Sequence, residues 1–473
     1  MYLILCCAVM TGSLDAAAPL QIAHFAVDAS PPVGSPLAYI ETRAVETPLS
    51  CQGIVILGAT SPIVLCAVDW IGIGNDGQRV FREELARAAN TTTDRVAVHT
   101  LHQHDAPLCD FSVDDLIRSL GVEQHDPDSA FARDVIRRAA AAVRESLTKA
   151  VPLTHVGVGT GRVEQVASNR RILGSDGKVK LIRYTATKDP VIRAAPEGVI
   201  DPDVKSISCW SGDRKVVELT YYATHPQSYY RTGRATPDFP GLARNARQLA
   251  TGVPHVHFAG AGGNIGAGKY NDGDPANRPV LAARLEKGMQ LAWDSEQKFP
   301  ITAEEVGWST IDVRLPVSPH LDEHKLLAEL KGPDLAPKVR IDLASKLVWL
   351  RRCQAGDPIM LSCLRLGKVR LLQFPGELFV EYQLAAQQLR PDLFVALAAY
   401  GDYAPWYIGT EISYAQGGYE TGANASLVGP GSEATLVPAL QQLLDVPHRV
   451  EQKLGIEAAA YETEYARSHE PGP

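Results

Sequence analysis

The 473-residue sequence has no excess of positive charge, since 46 lysines and arginines stand against 54 aspartates and glutamates, for a formal net charge of −8. Nucleic-acid-binding surfaces need clustered basic side chains, so we expect no nucleic-acid partner. The sequence also has no C-x-x-C pair, no H-E-x-x-H and no G-x-S-x-G. These absences argue against a cysteine-based zinc module, a metalloprotease of the H-E-x-x-H type and a hydrolase with a serine nucleophile elbow.

Long apolar runs are also scarce, and the one of note lies at the N-terminus. Residues 2–12 have the length of a signal-peptide core, and small residues follow at 16–18, although no basic residues precede the run. We therefore predict a signal peptide over 1–18, with a buried first strand as the alternative. The mature chain is then expected to be exported, to the periplasm or the medium, without a transmembrane anchor. Cys6 could serve as a lipid attachment point.

Strand-like and helix-like segments alternate along the chain. The β-branched and apolar runs at 63–68 and 95–100 are typical of buried strands, whereas the Ala- and Arg-rich segment 130–150 is typical of a helix. No linker-like stretch of low complexity divides the chain. This order predicts a single α/β domain over 19–473, in which helices flank mixed sheets. A helical pair over 321–356 has the character of an insertion.

The densest group of metal-ligating residue types follows a predicted buried strand. His102 and His104 lie two positions apart there, so in an extended segment both would face one cavity. Three later predicted strands also lead into polar or aromatic residues, namely His225, Glu377 and Tyr407. Strand ends meet at one rim of an α/β sheet, and two histidines with a glutamate are a catalytic zinc ligand set. The alternatives are histidines bonded to backbone, a helix-start carboxylate and a packed aromatic ring, and these residues alone leave both interpretations open.

A glycine-rich stretch at 263–269 matches G-x-x-x-x-G-K. Tyr270 stands where a phosphate-binding loop needs Ser or Thr for magnesium, and no helical pattern follows directly. A nucleotide-binding enzyme is therefore the weakest functional alternative. The glycines are better explained by backbone that passes close to a ligand.

Six blocks resemble the neutral/alkaline (non-lysosomal) ceramidase family, and together they span most of the mature chain. They are V-D-A-S-P-P-V-G at 27–34, L-H-Q-H-D-A-P at 101–107, S-N-R-R at 168–171, Y-A-T-H-P-Q-S at 222–228, F-P-G-E-L-F at 374–379 and Y-I-G-T-E-I-S-Y-A-Q-G-G-Y-E at 407–420. The resemblance implies the catalytic domain of that family and hydrolysis of an amide bond by a water that zinc activates. The implied substrate is a small N-acyl amide or a lipid-like molecule.

The resemblance also implies roles for individual residues. The zinc ligands, for one Zn²⁺ per chain, would be His102, His225, Glu377 and Tyr407. His104 would be a neighbouring polar residue able to shuttle a proton to the leaving amine. Arg170 would contact the substrate or transition state, and Tyr419 would donate a hydrogen bond to the oxyanion.

One position departs from the family pattern. The family's G-D-V-S-P-N carries an active-site serine, and the matching segment here is 263–268, which places Asn264 and Gly266 at substrate-binding positions with Gly266 where the serine would be. We also expect no counterpart of the family's C-terminal immunoglobulin-like domain, because the chain ends soon after the tyrosine block. The resemblance therefore predicts a divergent member that works without the serine. The alternative is a ligand-binding homologue that lost turnover with the serine-to-glycine change.

Overall fold

The computed structural model describes residues 19–59, 61–121, 129–332 and 334–446. The predicted signal peptide at 1–18 lies outside these ranges. Among the helices in these ranges, none is long and apolar enough to cross a membrane.

The strands, in chain order, are β1 (Gln21–Asp28), β2 (Ala44–Val45), β3 (Ser50–Leu57), β4 (Ile63–Val68), β5 (Gly72–Ile73), β6 (Val96–Thr100), β7 (Leu108–Cys109), β8 (Val151–Pro152), β9 (His155–Arg162), β10 (Ser168–Asn169), β11 (Arg171–Leu173), β12 (Val179–Ile182), β13 (Asp203–Ser211), β14 (Arg214–Tyr222), β15 (Arg234–Ala235), β16 (His255–Ala259), β17 (Ile265–Gly266), β18 (Gln297–Pro300), β19 (Val306–Val313), β20 (Ile359–Leu366), β21 (Val369–Gln373), β22 (Glu377–Leu378), β23 (Phe394–Ala398) and β24 (Tyr407–Ile408).

The helices are α1 (Asn75–Ala89), α2 (Phe111–Ser119), α3 (Ser129–Leu147), α4 (Pro190–Ala194), α5 (Asp238–Thr251), α6 (Asn277–Asp294), α7 (Glu323–Leu330), α8 (Pro337–Ala355), α9 (Val380–Leu389), α10 (Glu411–Gln416) and α11 (Ser432–Leu443).

Three larger sheets organise the fold. Their strand orders are β6-β4-β3-β1-β8, β16-β14-β13-β9-β18 and β19-β20-β21-β23. Most neighbouring strands are antiparallel, but each sheet contains one parallel pair, which is β4 with β6, β14 with β16 and β21 with β23. A parallel pair needs a crossover, and α1, α5 and α9 supply the three crossovers. The carboxyl ends of these paired strands carry the loops that form the candidate site.

The buried strand faces pack into a shared core. One apolar cluster joins residues of all three sheets, among them Ile54, Leu65, Ile207, Leu219, Leu364 and Leu371. Helices cover the outer faces: α1 and α3 pack on the first sheet, α5 and α6 on the second, and α9 and α11 on the third. The chain therefore forms one mixed α/β domain with several sheets flanked by helices, as the alternating segments predicted.

The predicted helical pair at 321–356 is α7 followed by α8. Leu330, Ile341 and Leu347 of this pair form a buried cluster with Val113 and Ile117 of α2. This packing fixes α8 against the main body. The N-terminal half of α8 lies along the rim where the candidate site opens.

The glycine-rich stretch at 263–269 is a packed part of the structure. Ile265 and Gly266 form β17, which pairs with β10, and the next helix, α6, begins only at Asn277. The Lys269 ammonium donates hydrogen bonds to the carbonyl oxygens of Arg193 (3.0 Å) and Ala195 (2.6 Å). The segment thus has neither the free lysine nor the following helix N-terminus that a phosphate-binding loop uses.

Candidate active site

The candidate site lies where the carboxyl ends of β6, β14 and β21 meet. His102 follows β6, His225 follows β14 and Glu377 follows β21, and all three side chains are buried. Backbone hydrogen bonds tie these loops together, because the Thr100 N–H donates to the Tyr400 carbonyl (2.9 Å) and the His225 N–H donates to the Ile265 carbonyl (3.1 Å). The strand-end pattern of the sequence therefore corresponds to one place in the fold.

The imidazole of His102 is held in a fixed orientation. Its Nδ1 lies 2.6 Å from the carbonyl oxygen of Ile71, which acts only as an acceptor, so Nδ1 carries the proton and Nε2 keeps a free lone pair. The Tyr400 ring stacks on the imidazole at a centroid distance of 4.5 Å. The backbone of His102 is left-handed (φ 68°), which re-aims the side chain after β6. Such orientation by a backbone carbonyl is typical of metal-ligating histidines.

Three buried polar atoms converge at this point without a hydrogen-bond partner among the described residues: His102 Nε2, His225 Nδ1 and Glu377 Oε2. The Glu377 oxygen lies 3.3 Å from His102 Nε2 and 3.8 Å from His225 Nδ1. Ligand atoms about 2.0–2.2 Å from one tetrahedral ion lie roughly 3.3–3.6 Å apart. A buried group without a partner is costly, so the three atoms fit a shared cation.

His104 lies beside this group, against the other ring nitrogen of His225. Its Nε2 lies 3.0 Å from His225 Nε2, and one ring nitrogen each of His102, His104 and His225 fall within 4.8 Å of one another. Three histidines could therefore hold a metal ion. Burial, reinforced by the positive charge of Arg170, lowers the pKa of His104 and of His225 well below the ordinary histidine value. Both rings are accordingly neutral at pH 7, which is the state that binds a metal.

Tyr407 lies beside His225 and is hydrogen-bonded to Arg170. Its hydroxyl accepts a hydrogen bond from Arg170 Nη1 (3.0 Å), and its ring lies parallel to that of His225 at 6.3 Å. The Arg170 Nε in turn lies 3.2 Å from Glu420 Oε1. Burial opposes the charge on Arg170, but Tyr407 and Glu420 more than offset this, so the pKa of Arg170 is raised. Burial raises the pKa of Tyr407, while Arg170 acts in the opposite direction.

Tyr419 lies nearer to solvent than the other predicted site residues. Its side chain is 41% exposed, and its ring packs edge-on against that of Tyr407 at 5.8 Å. Burial of the remainder raises its pKa to about 12, so the hydroxyl keeps its proton at neutral pH. The hydroxyl makes no hydrogen bond to the described residues and is free to donate to a ligand.

Asn264 and Gly266 lie behind this group of side chains. The Asn264 carboxamide accepts a hydrogen bond from the Val380 N–H (2.9 Å) and donates to the Glu381 carboxylate (2.9 Å), which anchors the start of α9. Asn264 is fully buried, so its polar atoms serve the protein itself. A Cβ added at Gly266 would lie 3.6 Å from both Arg170 Cγ and Thr185 Cγ2, so a small side chain has room there. Substrate contact by these two residues stays a prediction.

Comparison with solved structures supports the architecture. The structure of neutral ceramidase from Pseudomonas aeruginosa matches with a TM-score of 0.62 and 18% identity, over 93% of this chain and 77% of that one. The chain has the neutral ceramidase fold. A ceramidase complexed with C2 matches similarly, with a TM-score of 0.62 and 17% identity over 94% of this chain and 76% of that one. No protein-family model matches the sequence, and no curated protein matches it either. At these identities the likeness establishes the fold alone.

In this ceramidase-like fold the candidate site opens into a cavity of about 230 Å³. Five residues that the sequence singled out line it: the buried His102, His104, Glu377 and Tyr407, which form its floor, and the more exposed Tyr419. Arg170, His225, Asn264 and Gly266 lie outside the set of residues that line it. The structure thus brings the predicted metal ligands and their neighbours together and separates the two predicted substrate-binding positions from the cavity wall.

Several residues of the site were not foreseen from the sequence. The Tyr403 hydroxyl donates to Glu377 Oε1 (3.0 Å), and the Tyr39 hydroxyl lies 3.0 Å from His104 Nδ1. Tyr403 belongs to the aromatic loop after β23, whose composition was a usable signal. Tyr39 lies in a loop between β1 and β2 that carries no pattern. Its role depends on a contact 65 positions away in the chain.

Proposed function

We propose that this chain is a zinc-dependent hydrolase that cleaves the amide bond of an N-acyl compound. The observation that carries the proposal is the convergence of His102 Nε2, His225 Nδ1 and Glu377 Oε2, all buried and without partners among the described residues, beside an open cavity. A ceramidase-like fold around the site supports amide hydrolysis as the reaction. Polar orphan atoms of this kind are expected where a cation completes the structure.

Two imidazoles and a carboxylate form a donor set suited to catalytic zinc. His102, His225 and Glu377 would hold the ion, with Tyr407 as fourth ligand and His104 beside them. When bound, zinc supplies a Lewis acid for the scissile carbonyl and lowers the pKa of a bound water towards about 7. Tyr403 fixes the orientation of the Glu377 carboxylate, because its hydroxyl donates a hydrogen bond to Oε1, the oxygen that does not face the histidines.

Arg170 and Glu420 position Tyr407. The Arg170 guanidinium lies between the Tyr407 hydroxyl and the Glu420 carboxylate, and the second Glu420 oxygen lies 3.3 Å from Arg171 Nη1. A cation at this distance favours a negatively charged phenolate oxygen over a neutral one. Arg170 therefore prepares Tyr407 as a ligand and adds positive charge behind it.

Proton transfer and oxyanion stabilisation fall to His104 and Tyr419. His104 faces the cavity as a neutral imidazole whose Nδ1 lies near the Tyr39 hydroxyl, so it can accept the proton that the attacking water releases and pass it to the leaving amine nitrogen. The Tyr419 hydroxyl keeps its proton and faces the same space, so it can donate to the developing oxyanion. One such donor is worth about 2.7–4 kcal/mol in the transition state.

The space at Gly266 favours a second candidate function. A side chain would fit beside Arg170 at this position, and the family resemblance implies a hydroxyl there. A protein that binds zinc and an N-acyl ligand without turnover would follow if that hydroxyl were indispensable. The main proposal differs because it assigns the chemistry to the metal ligands, His104 and Tyr419, none of which depends on residue 266.

Hydrolysis of N-acyl amides separates these two functions. Purified protein supplied with zinc is assayed for release of free amine from a panel that runs from short acyl amides to ceramide. Tyr419→Phe is expected to lower kcat by about 10²–10³-fold with little change in KM, as loss of one oxyanion donor does. His320→Ala, at an exposed histidine, is the control. Zinc-loaded wild type that binds but never cleaves any member of the panel would contradict the proposal and favour the binding function.

The exported location remains part of the proposal. It rests on the apolar run at 2–12 and the small residues at 16–18. Expression of the full chain in a bacterial host, followed by N-terminal sequencing of the periplasmic fraction, tests it. A mature N-terminus near residue 19 supports export, and an intact N-terminus in the cytoplasmic fraction opposes it.

A further inference from the structure

The mouth of the cavity carries a group of positive charges that the proposed chemistry does not use. Three segments form it: the loop with Tyr39, the loop with Tyr230 and Arg231, and the first two turns of α8 with Lys338. The Arg231 guanidinium lies over two aromatic rings, 5.2 Å from the centroid of Tyr39 and 5.1 Å from that of Tyr230. Lys338 Nζ lies 5.6 Å from the Tyr39 ring.

Arg231 is exposed, and its guanidinium makes no ion pair with any carboxylate of the described residues. Lys338 pairs with Asp342, one turn further along α8. The charges of Arg231, Lys338 and Asp342 therefore sum to one net positive charge at the mouth. A guanidinium that stacks on aromatic rings keeps its planar fork of N–H donors free, and this fork matches the two oxygens of a carboxylate.

The backbone that carries Arg231 is fixed relative to the metal-ligating loop. The Asp105 carboxylate, directly after His104, accepts hydrogen bonds from the Thr232 N–H (3.2 Å) and hydroxyl (2.7 Å). Arg278 donates to the Tyr229 carbonyl (3.0 Å) from the other side. Arg231 itself adopts a left-handed backbone (φ 64°) between these anchors. The charge at the mouth is thereby held at a set place relative to the floor.

The size of the cavity restricts the substrate as well. Its volume is about 230 Å³, below the roughly 300–1,000 Å³ of pockets for drug-sized ligands. Asn75, Asp110, Asp342 and Asn424 contribute polar groups to its wall. Asn75, Asp342 and Asn424 each have a partner within the protein, but a long alkyl chain would still displace water from this polar wall, which is unfavourable.

We propose that the site takes a compact N-acyl amide that bears a carboxylate, and that Arg231, assisted by Lys338, binds this carboxylate at the mouth. The inference rests on the proposed amide hydrolysis for the identity of the floor. It adds the substrate class and names Arg231 as the specificity-determining residue.

Matched substrates test the charge preference. Glutaryl p-nitroanilide is compared with its terminal amide, and N-butyryl-β-alanine with N-butyryl-β-alaninamide, so that each pair differs in a single carboxylate, on the acyl side in one pair and on the amine side in the other. Wild type is expected to prefer the acid at least tenfold in kcat/KM in one pair. Arg231→Gln is expected to bring that ratio close to one, through a higher KM for the acid. Arg284→Gln, at an arginine that lies over the Tyr270 ring away from the cavity, should leave the ratio unchanged.

Binding without turnover keeps this inference separate from the proposed function. Calorimetry compares glutarate with glutaramide on wild type and on Arg231→Gln, and glutarate affinity is expected to fall at least tenfold in the variant. If no amide is hydrolysed but this loss is seen, the proposed reaction fails and the anion site stands. If amides are hydrolysed with equal kcat/KM for acid and amide, or if Arg231→Gln binds glutarate as wild type does, the anion site is overturned.

Discussion

Substitutions at two glycines of one short segment test the packing around the site. In Gly266→Ala the new Cβ meets its nearest neighbours, Arg170 Cγ and Thr185 Cγ2, at 3.6 Å, an ordinary van der Waals distance. In Gly268→Ala the Cβ would overlap the carbonyl oxygen of Tyr184 and lie 2.9 Å from Arg183 Cγ. The two substitutions are chemically identical and lie two positions apart, so each controls for the other.

The expected effects on the free energy of unfolding have opposite signs. Gly266→Ala removes backbone freedom from the unfolded chain at no steric cost and should stabilise the protein by about 0.4–1 kcal/mol. Gly268→Ala forces the backbone near Tyr184 to move and should cost about 1–3 kcal/mol or more. Urea denaturation followed by circular dichroism measures both. Equal losses of stability in the two variants would refute the geometry described for this segment.

Gly266→Ser extends the test to the mechanism. The hydroxyl would lie beside Arg170, where the family resemblance implies a serine. Since the proposed chemistry does not use residue 266, kcat/KM for a hydrolysed N-acyl amide should stay within about threefold of the wild-type value, well under the 1.4 kcal/mol that a tenfold change represents. A gain of more than tenfold would show instead that the wild-type site lacks a catalytic group. Gly266→Ala serves as the control, because it adds the side-chain carbon without the hydroxyl.

Burial raises the pKa of Asp110 to about 7 from its ordinary 3.8, so the folded state keeps this proton to a higher pH than the unfolded state does. The free energy of unfolding should therefore fall by on the order of 1.4 kcal/mol per pH unit as the pH rises from the unfolded to the folded pKa. Asp110→Asn should flatten that slope in urea titrations at several pH values, and an unchanged slope would contradict the assignment. Arg244→Met leaves the buried Asp69 carboxylate, 2.7 Å from Arg244 Nη1, without its cation, and should lower the free energy of unfolding by about 3–5 kcal/mol in denaturation experiments. Arg79→Ala, which removes an exposed ion pair, is the control and should change it by less than about 1 kcal/mol. Glu420→Gln weakens the ion pairs with Arg170 and Arg171 and should lower kcat by about tenfold or more in stopped-flow or steady-state assays. A wild-type kcat in this variant would contradict the positioning role of Glu420.

The sequence predicts the buried strands and the site residues at their ends, because the local hydrophobic pattern and the sheet topology agree there. Continuous apolar runs such as Ile63–Val68 are fully buried strands, and the ends of parallel strands bring His102, His225 and Glu377 to one rim. The expectation for His102 and His104 was an extended segment. The backbone at His102 is instead left-handed, and the two rings still meet, with centroids 5.3 Å apart.

Tertiary contacts decide what the sequence could not indicate. Asn264 stands in a segment that the resemblance assigned to the substrate, yet its carboxamide is committed to the start of α9. Tyr39 and Arg231 reach the mouth of the cavity from loops with no periodicity, so their positions depend on distant partners such as His104 and Asp105. Contacts between distant parts of the chain determine the positions of such residues, because neither spacing nor composition sets their neighbours.

Metal content tests the central claim most directly. Wild type, His102→Ala/His225→Ala and the surface control His320→Ala are purified without chelators, and bound metals are measured by inductively coupled plasma mass spectrometry. The account predicts about one zinc per chain in wild type and control, and its loss in the double variant, which should remain folded by circular dichroism. Wild type without stoichiometric metal, even after incubation with zinc and removal of the excess, would contradict the account, and so would a double variant that keeps its zinc.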